Sequence, residues 1–132
     1  MTRTEAREIA FFIVFEHSFS KESTEEIIAK SGEARDLEVP DFSRRLADEV
    51  IAHKDELDAH ISRLSRGWSI DRISRVSLAI LRVAICEMLY EADIPVSVSI
   101  NEAVNLCKTY AGEEDYSFVN GILGTLSREG TV

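Results

Sequence analysis

Cysteines and prolines are scarce in this 132-residue sequence, and long apolar runs are missing. The two cysteines, Cys86 and Cys107, are too few for a disulfide framework and lie in apolar runs, which is typical of small core residues. No stretch approaches the roughly 20 apolar residues that a membrane helix needs. The acid-bearing N-terminus does not read as a secretory signal. We therefore expect a cytoplasmic protein with no membrane segment.

Motifs that carry catalysis or bind metals are also lacking. The sequence contains no CxxC, HExxH, GxSxG or phosphate-loop pattern. Of the three histidines, only His53 and His60 are spaced to share a helix face, and such pairs are more often solvated than metal-binding. The acids Glu113, Glu114 and Asp115 precede a predicted helix, where negative charge complements the helix dipole. We expect no enzyme activity, no cofactor and no metal.

What the sequence does contain is helical periodicity, with no alternating strand pattern. Pro40 and Pro95 fall between periodic segments, where they break no helix. Seven helices are predicted, over about residues 4–19, 23–32, from 41 onward, 57–64, 76–90, 100–110 and 115–126, and the third and fourth are candidates for one continuous helix through His53. The fifth is apolar nearly all round, which predicts the centre of a bundle. One domain, residues 1–132, is expected at this length.

Capping patterns predict where several of these helices begin and end. Ser23 with Glu26, and Ser99 with Glu102, each have the spacing of a capping box. Gly32 is suited to the left-handed conformation that ends many helices. The sequence therefore predicts helix starts at Ser23 and Ser99 and a helix end at Gly32.

Two residues do not fit their predicted helices. Arg82 stands in the apolar run "AILRVAI" and should be ion-paired, with Glu102 as a candidate partner. Gly121 stands in "SFVNGIL", where Asn120-Gly121 is a hairpin signal. Neither flank alternates, so a helix is favoured, although a helical glycine costs about 1 kcal/mol relative to alanine. We expect Gly121 to permit the close approach of a neighbouring helix.

Charge is unevenly distributed along the chain, whose net charge is −9. The segment "ISRLSRGWSIDRISRVSLAILR" holds five arginines against one acid, Asp71, together with the only tryptophan, Trp68. Such a segment is a candidate for anion binding. The alternative is that its arginines pair with carboxylates elsewhere, and the pattern leaves both interpretations open.

Three ordered motifs carry a family resemblance. ILRxAxxE, then DIPxxVxINEAVxLxKxY, then FVNGIL occupy residues 80–123, which resemble the C-terminal half of the NusB family of transcription antitermination factors. "TEAREIAFFIVF" resembles that family's first helix, so the resemblance covers nearly the whole chain. Residues 20–62 are less diagnostic.

The resemblance implies an all-α fold of about seven helices in two sub-bundles, without enzyme activity. It implies binding to the boxA element of nascent ribosomal-operon RNA, jointly with the ribosomal protein NusE. It also implies a place in the antitermination complex of RNA polymerase.

The family's RNA-binding residues match this sequence unevenly. Members of the family have an arginine-rich N-terminus that contacts RNA, and the resemblance implies the same role here. Arg3 and Arg7 match that segment, but Glu5 and Glu8 interrupt its positive charge.

Further along the chain, Trp68 stands where the family has an aromatic residue and is expected to stack on a base, with Arg72 close enough in sequence to reach a phosphate. Lys108 matches the lysine of LxKxY. Phe118 matches the phenylalanine of FVNG, and its ring is expected to face either RNA or the core. Phe15 and Phe19 lie on the helix where the family meets its protein partner.

Two alternatives remain beside this interpretation. One is a self-associating adaptor that buries a weak RNA site in a homodimer. The other is a relative of the helical domain attached to some RNA methyltransferases, which the absence of a cofactor domain and a glycine-rich loop disfavours.

Overall fold

The computed structural model describes residues 1–31, 39–66, 68–130 and 132. Within these ranges the chain forms seven α-helices and no strand, which confirms the all-α prediction. The helices are α1 (Arg3–Ser20), α2 (Thr24–Lys30), α3 (Asp41–Ala52), α4 (Lys54–Leu64), α5 (Arg75–Tyr90), α6 (Val96–Tyr110) and α7 (Glu113–Arg128), with a 3-10 turn (Ile70–Arg72) before α5.

Helix α5 is the centre of the molecule, as its apolar sequence predicts. It contacts α1 and α3 on one side and α4, α6 and α7 on the other. Leu81 and Ile85 are completely buried, because a helix surrounded by five others has no face left for solvent. The helices therefore form two groups, α1 with α3 and α4 with α6 and α7, and both groups pack against α5.

Helix ends follow local chemistry in the first half of the chain. The capping box at Ser23 is present, with Ser23 accepting from the Glu26 backbone and Glu26 accepting in return. Helix α2 ends at Lys30, and Gly32 lies outside the described residues. His53 separates α3 from α4 with φ −107° and ψ 18°, so these are two helices and not one.

The predicted capping box at Ser99 and Glu102 is wrong. Helix α6 begins earlier, at Val96, with Pro95 as its cap at φ −59°, a φ value that proline fixes in advance for a helix start. Ser99 consequently lies inside the helix and is buried, and its hydroxyl donates to Glu87 Oε1 at 2.6 Å.

Arg82 is ion-paired, but not with Glu102. Its Nε and Nη2 donate to the two carboxylate oxygens of Asp58 at 2.8 and 3.0 Å. The side chain of Arg82 faces α4, whereas Glu102 faces α1 from the other side of α5. The expectation that these two residues pair is therefore corrected.

Gly121 lies in a helix, as predicted, but the close-packing explanation is wrong. A Cβ added at Gly121 would meet no atom within 4 Å, and the residue is exposed. The buried face of α7 is formed by Val119, Ile122, Leu123 and Leu126, as the periodicity predicts. Nothing in the packing explains the glycine.

Candidate nucleic-acid interface

Two arginines of the basic segment are held by carboxylates. Arg63 donates to both oxygens of Glu129 at 2.7 and 2.8 Å. Arg82 is bound to Asp58 as described above. These two side chains support the interpretation that the segment pairs with acids elsewhere in the fold.

The other three arginines of the segment have no such partner. Among the described residues, no carboxylate lies within 4.0 Å of Arg66, Arg72 or Arg75. Arg75 instead donates to the Ser18 carbonyl at 2.9 Å. Both interpretations of the sequence are therefore partly right, and part of the positive charge stays available for an anion.

An aromatic pair lies beside this available charge. Trp68 is 54% exposed, and its ring centroid is 6.4 Å from that of Phe118 on α7, with the planes inclined by 59°. Phe118 is half-buried and packs against the core, so it is a rigid base for Trp68. An exposed indole fixed in this way suits the stacking of an unpaired base.

The loop that carries Trp68 is fixed by Ser65. Ser65 is buried, and its Oγ lies 2.9 Å from the Trp68 carbonyl oxygen. The Trp68 amide donates to the Ser65 carbonyl at 3.3 Å. Arg72 ends the 3-10 turn that follows, so the loop presents an aromatic ring and a cation from one short segment.

Lys108 reaches the same helix from the opposite side. Its Nζ lies 5.5 Å from the ring centroid of Tyr116, two residues before Phe118 on α7. Residues two apart on an α-helix project about 200° apart. Lys108 and Trp68 therefore flank the first turns of α7. We group Trp68 and Phe118, together with Arg72 in the same loop and with Lys108 and Tyr116 on the other side of the helix, under the name α7 surface.

Arg7 is not on an accessible surface. Its side chain is 4% exposed and donates to Glu87 at 2.5 Å and to Glu102 at 2.6 Å. A phosphate contact would have to break a buried ion pair, which is strongly unfavourable. The burial argues against the expected RNA contact of Arg7, since the residue ties α1 to α5 and α6.

Arg3 is accessible but lies away from the α7 surface. Its guanidinium carbon is 4.0 Å from the ring centroid of Phe42 on α3, a cation–π contact. No contact joins it to Trp68 or Lys108. Among the described residues, the structure thus brings Trp68 and Phe118 together, whereas Lys108 contacts Tyr116 and Arg3 contacts Phe42.

The two phenylalanines expected at a protein partner form a second surface. Phe19 is 55% exposed, and its ring centroid is 5.0 Å from that of half-buried Phe15. The guanidinium carbon of Arg75 lies 4.6 Å from the Phe19 ring. A polar cleft of about 450 Å³ lies beside them, with Lys21 and Arg75 in its lining. Sequence reasoning missed the link between Arg75 and Phe19, because the two residues are distant along the chain.

Neither surface, as defined by its described residues, contains a carboxyl or a histidine. Burial, followed by the neighbouring Glu91 carboxyl, raises the pKa of Glu49 to about 7, at the contact of α3 with α5. The described ranges contain no group of three His, Cys, Asp or Glu side chains that could hold a metal ion. They also contain no helix with the length and apolarity to cross a membrane. The geometry is that of a binding surface of aromatic rings and cations.

Comparisons with known proteins point to one family. The model of the NusB family matches residues 4–128. The transcription antitermination protein NusB of Acetivibrio thermocellus is 45% identical over 126 residues, which cover 94% of this chain and 87% of that protein. The NusB of Oceanobacillus iheyensis is 41% identical over 126 residues, covering 96% and 98%.

Solved structures agree with the sequence relatives. NusB of T. maritima superposes with a TM-score of 0.89 at 33% identity, covering 100% of this chain and 94% of that one. A chain of the crystal structure of the antitermination factors NusB and NusE in complex with double-stranded RNA superposes with a TM-score of 0.83 at 26% identity, covering 98% and 99%.

Proposed function

This chain belongs to the NusB family, and from that premise we propose that it is a transcription antitermination factor. It binds single-stranded boxA-type RNA of ribosomal operons together with the ribosomal protein NusE, and it catalyses no reaction. One observation carries the RNA assignment: the exposed Trp68 ring is supported by Phe118, in a loop that also carries Arg72.

In the α7 surface, aromatic and cationic side chains contact different parts of the RNA. Trp68 holds an unstacked base, while Arg72 and Lys108 contact phosphates on either side of α7. Arg3 supplies a third phosphate contact at the start of α1. Three contacts to a single strand correspond to a slope of about −2 in a plot of log affinity against log salt.

A protein partner is needed because the charge is unfavourable. A chain of net charge −9 repels RNA at long range, and several of its described cations are held in ion pairs. A basic partner adds phosphate contacts of its own and raises the effective concentration of RNA at the α7 surface. We therefore expect weak RNA binding by this chain alone and tight binding with NusE.

We propose that NusE docks at the second surface, formed by Phe15, Phe19 and Arg75. Phe19 offers an exposed aromatic anchor, which is typical of interface hot spots. Arg75 fixes that ring from α5 while its Nη1 bonds to the Ser18 carbonyl. The anchor is thus preorganised, which lowers the entropy lost on binding.

The remaining parts of the proposal follow from this role. Residues 1–132 act as one domain within the antitermination complex of RNA polymerase. The complex works on nascent transcripts, so we place the protein in the cytoplasm.

A crossed pair of variants tests both surfaces. Trp68→Ala should weaken boxA RNA binding by roughly ten-fold or more at saturating NusE, because base stacking contributes about 1–3 kcal/mol per base. The same variant should leave NusE affinity unchanged. Phe19→Ala should weaken NusE binding and leave the RNA affinity at saturating NusE unchanged. Fluorescence anisotropy with labelled RNA and calorimetry with NusE measure the two affinities.

Each variant is the control for the other, since both remove an exposed aromatic ring. Unchanged RNA binding by Trp68→Ala would show that the α7 surface is not the RNA site. Unchanged NusE binding by Phe19→Ala would remove only the partner surface. A salt series of the unaltered complex then gives the number of phosphate contacts.

A further inference from the structure

Arg66 has a backbone conformation that disfavours an arginine. Its φ is +40°, and the only other described non-glycine residue with positive φ is Lys21, at +62°. In this region the Cβ of an L-residue crowds the following carbonyl oxygen, so glycine is usually preferred. Arg66 directly follows Ser65, which ends α4. The positive φ at this position favours glycine, but the residue there is an arginine.

The side chain of Arg66 has no partner among the described residues that would offset this disadvantage. It is exposed, and no described residue gives it a hydrogen bond, an ion pair or a ring contact. Arg63, one turn earlier, is bound by Glu129. A cation at a helix C-terminus does interact favourably with the helix dipole. Lys21, at the end of α1, has the same benefit and the same backbone conformation.

Arg66 differs from Lys21 in what lies beside it. The contacts between Ser65 and Trp68 close the turn that contains Arg66, so Arg66 and the exposed Trp68 lie two residues apart in one fixed turn. A stacking ring with a free guanidinium beside it is the combination that binds a base and its phosphate in single-stranded nucleic acid.

We propose that Arg66 is a phosphate-binding residue of the RNA interface, kept in an unfavourable backbone conformation for that purpose. The inference rests on the proposed function and extends the α7 surface to a residue that the family motifs do not mark. Trp68 holds the base, and Arg66 and Arg72 bind the phosphates before and after it.

The substitution Arg66→Gly separates binding from folding. Glycine fits a φ of +40° and removes the guanidinium. At saturating NusE we expect the affinity for a short single-stranded boxA RNA to fall several-fold and the salt slope to become shallower by about 0.7. The melting temperature should stay the same or rise. Arg66→Asn, which also tolerates this conformation, should reproduce the loss of affinity and slope.

Lys21→Gly is the matched control, because it also removes a cation at a helix end with positive φ. It should leave RNA affinity and slope unchanged at saturating NusE. Equal losses in both glycine variants would overturn the proposal in favour of a general charge effect.

Trp68→Ala distinguishes this inference from the proposed function. Weak binding by Trp68→Ala with normal affinity and slope for Arg66→Gly would overturn the role of Arg66 and leave the α7 surface in place. Normal RNA binding by both variants would overturn the role of Arg66 and the assignment of the α7 surface as the RNA site.

Discussion

At the scale of single residues, solvent exposure separates the candidate binding residues that can reach a partner from those that cannot. Trp68 and Phe19 are aromatic, exposed and fixed by a neighbour, whereas Arg7 is buried in an ion pair although the family pattern marks it for RNA. A residue type at a motif position therefore does not fix its role. The side chain must also reach solvent.

Gly121 gives a prediction at this scale. Because no atom lies within 4 Å of an added Cβ, Gly121→Ala should raise the free energy of unfolding by up to about 1 kcal/mol, the difference in helix propensity. Urea unfolding followed by circular dichroism measures it. Gly124→Ala is the comparison, with a smaller gain, since its Cβ would lie 3.2 Å from Arg128 Nη1. A loss of stability in Gly121→Ala would show that the packing at this position is closer than described.

At the scale of elements, a buried ionic network joins three helices. Arg7 of α1 bonds to Glu87 of α5 and Glu102 of α6. Glu87 also accepts from Ser99, and Glu102 from Thr4 at 2.5 Å. Each carboxylate in this network accepts from a helix other than its own, so the network fixes how α1 and α6 are placed around α5.

Removing one partner of this network should be far more damaging than removing an exposed pair. Arg7→Met leaves the fully buried Glu87 uncompensated and should lower the free energy of unfolding by about 3–5 kcal/mol. Arg63→Met, which breaks the exposed pair with Glu129, should cost less than about 1 kcal/mol. Denaturant unfolding measures both.

The double variant Arg7→Met with Glu87→Met completes this test. Removing both charges should recover much of the stability lost in Arg7→Met, because apolar groups of similar volume often replace a buried ion pair without loss. No recovery would mean that the hydrogen bond from Ser99 to Glu87, and not the ion pair, dominates.

At the scale of the whole molecule, stability should depend on pH through Glu49. The folded-state pKa is about 7, raised mainly by burial, against an ordinary value of 4.5. The folded protein thus binds a proton more tightly than the unfolded chain. The resulting stabilisation is complete below pH 4.5 and is lost as the pH rises through 7.

Glu49→Gln isolates this effect, since glutamine resembles the protonated side chain and does not titrate. We expect the wild type to lose stability relative to this variant between pH 5 and pH 8, by urea unfolding at each pH. Asp48→Asn, one residue earlier and exposed, is the control. A constant difference between wild type and Glu49→Gln across that range would contradict the pKa shift.

The sequence by itself determined most of the fold, because its signals are local. Apolar periodicity identified seven helices, the all-apolar run identified α5 as their centre, and Ser23 identified a helix start. Trp68 and Phe118 were recognised from motifs and do come together.

Only the tertiary structure decided which long polar side chains meet. Arg82 projects from α5 toward α4 and pairs with Asp58, whereas Glu102 of α6 pairs with Arg7 of α1. The burial of Arg7 likewise depends on helices distant in sequence. Periodicity gives the face of a helix, whereas the neighbour that occupies that face is set by the packing of the whole chain.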